Sequence, residues 1–161
     1  MCNKEFPVTL SSGYPSASRG HGKKRVLFLC TGNSCRSQMA EGWFRHLFRD
    51  RFEAYSAGTK PGTLDPRAVK VMAEIGVDIS RQRSKSLMDL PDVHFDLVVT
   101  VCDSAREACP FFPGEGKKVH RSFQDPPLLA RGAASEEEAL VQYRGVRDGI
   151  RDFITGLDKE L

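Results

Sequence analysis

The residues of this chain that could carry out chemistry begin with a cysteine and an arginine six positions apart, Cys30 and Arg36. The five residues between them are small or polar, namely Thr31, Gly32, Asn33, Ser34 and Cys35. Backbone N–H groups of such a loop, with the N-terminus of a following helix, bind tetrahedral oxyanions, and an arginine can hold two of the anion's oxygens. A thiol at this position should ionise readily, because the same groups stabilise its thiolate. The predicted chemistry is therefore attack of the Cys30 thiolate on the central atom of a bound oxyanion.

The sequence on either side of this loop supplies the elements that must position it. Four apolar residues, 26–29, precede Cys30 and are typical of a strand that is buried on both faces. The apolar residues after the loop recur at intervals of three and four, as in an amphipathic helix, and are Met39, Ala40, Trp43, Phe44, Leu47 and Phe48. A cysteine at a strand end is most often a small core residue, but this strand–loop–helix context favours anion binding. Asn33 and Ser37 are expected to hydrogen-bond within the loop and to support the thiolate.

Strand and helix patterns alternate along the rest of the chain. Strands are predicted at 52–57, at 95–101 and near 117–120, and helices are predicted to begin at Asp65 and Ser135. This order predicts an α/β fold, a three-layer sandwich in which a four-stranded parallel sheet is flanked by helices. Ligands of such sheets bind at the carboxyl ends of the strands, where the nucleophilic cysteine lies.

Length and charge limit the classes of protein to which the chain can belong. Its 161 residues suit one domain, which we place at 25–161 after a flexible extension at 1–24. The extension carries four of the 24 basic residues and one of the 21 acidic ones, so 20 of each sign remain and cancel in the domain. A neutral domain gives no support for nucleic-acid binding, and neither a membrane-spanning run nor a secretory signal is recognisable. We therefore expect a monomeric, cytoplasmic protein that binds neither nucleic acid nor membranes.

Two further cysteines lie where they could cooperate with the first. Cys102 directly follows the strand pattern at 95–101, at the same edge of the sheet as Cys30, and Cys109 comes seven residues later. Each alone could be a buried core residue. The paired spacing of zinc ligands is absent, so we predict no metal site and no bound cofactor, and a structural disulfide does not suit a chain without a secretion signal. The remaining interpretation is redox chemistry, in which thiols pass a disulfide from one to the next.

The segment 30–37, Cys-Thr-Gly-Asn-Ser-Cys-Arg-Ser, resembles the anion loop of the low-molecular-weight protein tyrosine phosphatase fold. The continuation 38–42 is more similar to the arsenate reductases of this fold than to its phosphatases, which tend to have proline in place of Gln38. The resemblance extends from about Arg25 to the C-terminus. It implies the fold predicted above and an enzyme that acts on an oxyanion.

Three cysteines match the arsenate reductases that draw electrons from thioredoxin. Those enzymes have a nucleophile in the anion loop, a second cysteine after the third strand and a third one seven residues beyond, as Cys30, Cys102 and Cys109 are placed. The resemblance implies that Cys30 attacks the arsenic of arsenate, which phosphate or sulfate would mimic. The disulfide would then pass through Cys102 to Cys109 and on to reduced thioredoxin, and we predict that the segment 102–112 refolds between redox states. A low-molecular-weight thiol, such as mycothiol, or glutathione with a glutaredoxin, is the alternative donor.

Asp125 precedes a proline after the last strand pattern, a combination that most often begins a turn. The resemblance gives Asp125 a second role, because an Asp-Pro pair at this point supplies the general acid or base above the anion loop in the family. We therefore expect Asp125 to lie close to the loop that begins at Cys30.

Some relatives also bind a potassium ion, through residues that match Asn33, Glu41 and Ser56 and through an aspartate. Lys85 stands at the position of that aspartate. Because its ammonium group would repel a cation and could take its place, we do not expect potassium to bind.

Two other functions fit parts of this pattern. A phosphatase that acts on phosphotyrosine or on a small phosphoester needs only Cys30, Arg36 and Asp125. A non-enzymatic anion-binding protein needs only the loop. A change of Cys102 to serine separates the reductase from the phosphatase, because it would stop a reductase after one arsenate adduct and would leave a phosphatase active.

Overall fold

The computed structural model describes residues 22–103 and 116–161, so Cys109 and most of the segment 102–112 lie outside the described residues. The strands of this part are β1 (Lys24–Cys30), β2 (Phe52–Gly58), β3 (Leu97–Thr100) and β4 (Lys117–His120). They form one parallel sheet in the order β2-β1-β3-β4. The predicted α/β fold with a four-stranded parallel sheet is confirmed.

Helices begin where the capping residues indicated. In the described part of the chain they are α1 (Arg36–Phe48), α2 (Pro66–Ala73), α3 (Pro126–Leu129) and α4 (Glu136–Leu157). The Asp65 side chain accepts a hydrogen bond from the Arg67 amide at 2.8 Å and so caps α2. The Ser135 hydroxyl caps α4 in the same way, through the Glu138 amide at 3.2 Å. None of the helices in the described ranges is long and apolar enough to cross a membrane.

One of the six apolar residues along the predicted side of α1 is exposed. Four of the six apolar residues that the periodicity selected are buried and Phe48 is partly buried, whereas Leu47 is 41% exposed. Leu47 lies in the last turn of the helix and lines an open groove. The apolar periodicity therefore continues beyond the part of the helix that the core covers.

Both faces of the sheet are covered, and successive residues of β1 point to opposite sides. Val26 and Phe28 belong to the larger core cluster, which α1, α2 and α4 cover. Leu27 and Leu29 belong to a smaller cluster on the other face, with partly buried residues of the segment 87–93 packed against it. All four side chains are fully buried, so the carboxyl end of β1 is held firmly from both faces.

The strand register brings the residues of the predicted site to one edge of the sheet. Cys30 pairs with Gly58 at the end of β2. Beyond the end of β3, the Val101 amide donates to the Leu29 carbonyl at 2.9 Å. Cys102 follows one residue later, and therefore lies at the same edge as Cys30.

Candidate active site

The loop after β1 turns its carbonyl groups outwards. Backbone amides of the segment 59–65 donate to the carbonyls of Cys30, Thr31, Gly32 and Ser34 at 2.9 to 3.3 Å. Because the C=O and N–H groups of a peptide unit point in opposite directions, outward carbonyls leave the amides facing the inside of the loop. Among the residues that the structure describes, the amides of Gly32 and Ser34 have no protein acceptor. They are free to bind an anion.

The end of β2 supports this loop at very short range. A Cβ atom on Gly58 would lie 2.5 Å from the Thr31 carbonyl oxygen and 2.9 Å from the Asn33 amide nitrogen. Only glycine allows the loop to approach the strand so closely. Asn33 itself has a φ of 46°, a left-handed conformation in which asparagine is among the few tolerated residues.

The Cys30 thiol lies inside the loop, 3% exposed, among hydrogen-bond donors. Its Sγ is 2.8 Å from the Ser37 hydroxyl oxygen and accepts from the Asn33 amide at 3.2 Å. Asn33 Nδ2 in turn donates to the Ser37 oxygen at 2.9 Å. Both side chains therefore make the loop hydrogen bonds expected from the sequence. These donors stabilise a thiolate more than a neutral thiol.

Cys35 is a buried thiol of a different kind. Its side chain is 3% exposed and belongs to the main core cluster. Burial raises the pKa of the Cys35 thiol well above its usual range, and the carboxylates of Asp65 and Asp125 add to this effect. Cys35 is therefore a poor nucleophile.

Arg36 begins α1 and brings a carboxylate to the loop. Its Nη1 donates to the Phe123 carbonyl at 3.0 Å, and its Nη2 lies 3.3 Å from Asp125 Oδ1. Asp125 occupies the position before α3, where Pro126 takes the first turn. The guanidinium thus joins two segments that are about 90 residues apart in sequence and holds Asp125 beside the site.

The second predicted thiol, Cys102, reaches the loop as well. It is 3% exposed and its Sγ lies 3.5 Å from the Thr31 hydroxyl oxygen. Because Thr31 directly follows Cys30, the loop contains one of the three predicted redox cysteines and contacts a second one. Cys30, Cys35 and Cys102 are all free thiols in this structure.

No pattern in the sequence predicts the hydrogen bonds around Asp103, the residue after Cys102. The Asp103 carboxylate is hydrogen-bonded to His120 Nε2 and to the Ser122 hydroxyl, each at 3.0 Å. His120 Nδ1 also lies 2.8 Å from the Thr100 hydroxyl oxygen. These residues come from the ends of β3 and β4, and no local pattern connects them in the sequence.

A buried carboxylate, that of Glu41, lies behind the loop. Glu41 is 2% exposed and pairs with Arg45 Nη2 at 2.7 Å. It also accepts a hydrogen bond from the Ser56 hydroxyl, and Lys85 Nζ lies 3.7 Å from it. Burial lowers the pKa of Lys85, an effect that the Glu41 carboxylate opposes. Within the described ranges, no group of three or more His, Cys, Asp and Glu side chains is arranged to hold a metal ion.

The fold and the site together define a class of α/β protein, one in which a cysteine at the end of a central parallel strand lies inside a loop of inward-facing amides. The chain belongs to the low molecular weight phosphotyrosine protein phosphatase family, whose sequence model matches residues 25–160. It is 46% identical over 128 residues to an arsenate reductase of Halalkalibacterium halodurans, an alignment that covers 80% of this chain and 90% of that protein.

Solved structures include both kinds of enzyme that share this fold. An arsenate reductase in the phosphate binding state is 27% identical with a TM-score of 0.67, over 85% of this chain and 98% of that one. A low molecular weight protein tyrosine phosphatase from T. tengcongensis is 31% identical with a TM-score of 0.69, over 86% of this chain and 100% of that one. Because both enzymes have this fold, the choice between them depends on the residues of the site.

Proposed function

We propose that this protein is an arsenate reductase, which converts arsenate to arsenite through a relay of three cysteine thiols. The observation that carries the proposal is the position of Cys102, whose sulfur lies 3.5 Å from the Thr31 hydroxyl oxygen in the nucleophile loop. A phosphatase has no use for a second thiol at this point. The 46% identity to an arsenate reductase supports the same choice.

The first step is the formation of a bond between sulfur and arsenic. Arsenate binds to the inward amides of the loop, and Arg36 holds two of its oxygens. The Cys30 thiolate attacks arsenic, and one oxygen leaves as water after it receives a proton from Asp125. Asp125 Oδ1 lies 3.3 Å from Arg36 Nη2, which places the carboxyl group beside the position of the bound anion.

The second step transfers two electrons to arsenic. The sulfur of Cys102 attacks Cys30 Sγ, the As–S bond breaks, and its electron pair stays on arsenic, which leaves as arsenite. Cys102 loses its proton and Cys30 is left in a disulfide with Cys102. The Thr31 hydroxyl supports this attack, because it can donate a hydrogen bond to the Cys102 thiolate.

The last step restores the thiols. Cys109, which lies outside the described residues, attacks Cys102 and releases Cys30, so that the disulfide now joins Cys102 and Cys109. A reduced dithiol protein, which we propose to be thioredoxin, takes over this disulfide and is itself oxidised. Such a relay works in a reducing compartment, and the cytoplasmic location expected from the sequence forms part of the proposal.

A phosphatase is the second candidate function, and the 31% identity to the T. tengcongensis enzyme favours it. In that reaction Cys30 attacks phosphorus, Asp125 protonates the leaving alcohol, and water hydrolyses the phosphocysteine. Phosphorus does not accept electrons from the thiols, so Cys102 would take no part.

A Cys102→Ser variant separates the two candidates. The assay is arsenate-dependent NADPH oxidation with thioredoxin and its reductase, run in parallel with hydrolysis of a small phosphoester. We expect the variant to stop after one arsenate adduct per chain, and any phosphoester hydrolysis to continue. Cys2→Ser is the matched control, since it makes the same chemical change in the predicted extension and should leave turnover unchanged. Steady arsenate turnover by Cys102→Ser would contradict the relay.

A further inference from the structure

The back of the nucleophile loop is held by two glutamine side chains, Gln38 and Gln82, whose amides are hydrogen-bonded to each other. We propose that Gln38, anchored by Gln82, is a positioning residue that fixes Asn33 and thereby strengthens the hydrogen bonds that stabilise the Cys30 thiolate. This inference rests on the proposed use of Cys30 as a nucleophile. It extends the catalytic machinery to side chains that do not touch the substrate.

Gln38 lies in the first turn of α1, and its side chain is fully buried. Its Nε2 donates to the Asn33 carbonyl at 2.8 Å, to Asn33 Oδ1 at 3.1 Å and to the Arg83 carbonyl at 2.9 Å. Its Oε1 accepts from Gln82 Nε2 at 2.7 Å, and the same nitrogen donates to the Gln38 carbonyl at 3.0 Å. Burial of a side-chain amide costs free energy unless its polar atoms are hydrogen-bonded. Both polar atoms of the Gln38 amide, Nε2 and Oε1, have partners.

Backbone groups determine the direction of each hydrogen bond in this cluster. The carbonyls of Asn33 and Arg83 can only accept, so Gln38 must turn its NH₂ group towards them. Its oxygen then faces Gln82. The Lys85 amide can only donate, and it reaches Asn33 Oδ1 at 2.9 Å. Asn33 must therefore present its oxygen to Lys85 and Gln38 and its NH₂ group to the other side.

The orientation of Asn33 determines which groups donate hydrogen bonds to Cys30. Its Nδ2 donates to the Ser37 oxygen at 2.9 Å, which leaves the Ser37 proton for Cys30 Sγ, 2.8 Å away. The Asn33 backbone amide donates to the same sulfur at 3.2 Å. Both donors depend on Asn33 keeping its left-handed φ of 46°. A loss of the Gln38 contacts would therefore weaken two hydrogen bonds to the thiolate at once.

The test measures the ionisation of Cys30 directly and uses no arsenate. Full-length wild type, Gln38→Leu, Gln38→Glu and Gln82→Leu are alkylated with iodoacetamide from about pH 5 to about pH 9, the range in which perturbed thiols titrate. Peptide mass spectrometry follows modification at Cys30. Leucine removes the donors of Gln38 at similar volume, and a glutamate side chain offers at most one donor where the amide of Gln38 offers two.

The expected result is a shift of the Cys30 alkylation profile to higher pH. We expect a shift of about one pH unit in Gln38→Leu, as for the loss of one hydrogen bond to a charged group, and a shift in the same direction in Gln38→Glu. Gln82→Leu leaves the donors of Gln38 in place, so its shift should be smaller and in the same direction. Gln142→Leu makes the same change at an exposed position of α4, and its profile should match the wild type.

A folded Gln38→Leu protein whose profile superposes on that of the wild type overturns the proposal. If Gln38→Leu does not fold, an unchanged profile in folded Gln82→Leu overturns it equally. Failure of the proposed arsenate reductase function would look different, because the wild-type chain would then turn over no arsenate while the alkylation profiles kept the expected order.

Discussion

Replacement of Gly58 by alanine tests how closely the nucleophile loop must lie against the sheet. A Cβ atom would lie 2.5 Å from the Thr31 carbonyl oxygen, 2.9 Å from the Asn33 amide nitrogen and 3.0 Å from Asn33 Cβ. Ordinary van der Waals contact begins at 3.4 Å, so the Thr31 carbonyl must move by about 0.9 Å to accept the methyl group. Because the nearest atoms belong to the backbone, no change of rotamer can absorb this displacement.

The expected effect is larger on catalysis than on stability. Overpacking of this kind costs about 1–3 kcal/mol of unfolding free energy, which a domain of this size can lose and still fold. A displacement of about 1 Å at a catalytic centre lowers the rate by about 100-fold. We therefore expect Gly58→Ala to remain folded and to lose about two orders of magnitude in kcat/KM for arsenate.

The assays are urea unfolding and arsenate-dependent NADPH oxidation, with calorimetric titration of phosphate as a measure of anion binding. Gly145→Ala is the matched control, because a Cβ atom there would meet nothing within 4 Å and the residue lies within α4. Alanine should stabilise that helix by about 0.5–1 kcal/mol and leave activity unchanged. A folded Gly58→Ala protein with wild-type turnover and phosphate affinity would refute the reasoning, since the loop would then tolerate the shift.

Two further predictions concern residues that hold the helices together. The Tyr143 hydroxyl donates to Asp65 Oδ2 at 2.6 Å, and burial together with this carboxylate raises the pKa of Tyr143, so the hydroxyl stays protonated. Tyr143→Phe should lower the unfolding free energy by about 1–2 kcal/mol, measured in urea, because the part-buried Asp65 carboxylate loses a hydrogen-bond donor. An unchanged midpoint would contradict this. Glu74 pairs with Arg144 and Arg147, which lowers its pKa below the usual 4.5. The contribution of Glu74 to stability is complete above its pKa in the unfolded chain and is lost as pH falls through its pKa in the folded protein. The urea midpoint of wild type should therefore fall more steeply below pH 4.5 than that of Glu74→Gln. Equal dependence of the two midpoints on pH would count against the ion pairs.

The fold could be predicted from the sequence because its signals are local. The apolar run at 26–29, the small residues after it and the capping side chains of Asp65 and Ser135 each specify a short segment of backbone. The strand predicted at 95–101 is shorter in the structure, Leu97–Thr100. Just before it, the Asp96 carboxylate accepts a hydrogen bond from the Arg25 amide at 2.8 Å, a contact between residues 71 positions apart that no local pattern predicts.

The position of each catalytic group was predictable only in part. Cys30 and Arg36 belong to one continuous loop, so their spacing alone indicated the site. The ion pair of Arg36 with Asp125 and the contact of Thr31 with Cys102 depend on how separate strands pair, and no pattern in the sequence encodes those distances. In the sequence, Gln38 is distinguished only by its difference from proline. Its hydrogen bonds as a buried donor depend on the packing of the segment 82–85 behind the loop, which no local pattern encodes.

The strand order has a consequence for the way this scaffold can change its chemistry. The loop that we propose binds the oxyanion follows β1 and is supported by the neighbouring β2 on one flank, with the segment 59–65 that comes after it. The accessory thiol comes from the opposite flank, after β3. The anion-binding loop and the second thiol therefore come from opposite flanks of the sheet. We expect that substitutions after β3 alone would remove the electron-transfer step of the proposed mechanism and leave the loop after β1 unchanged.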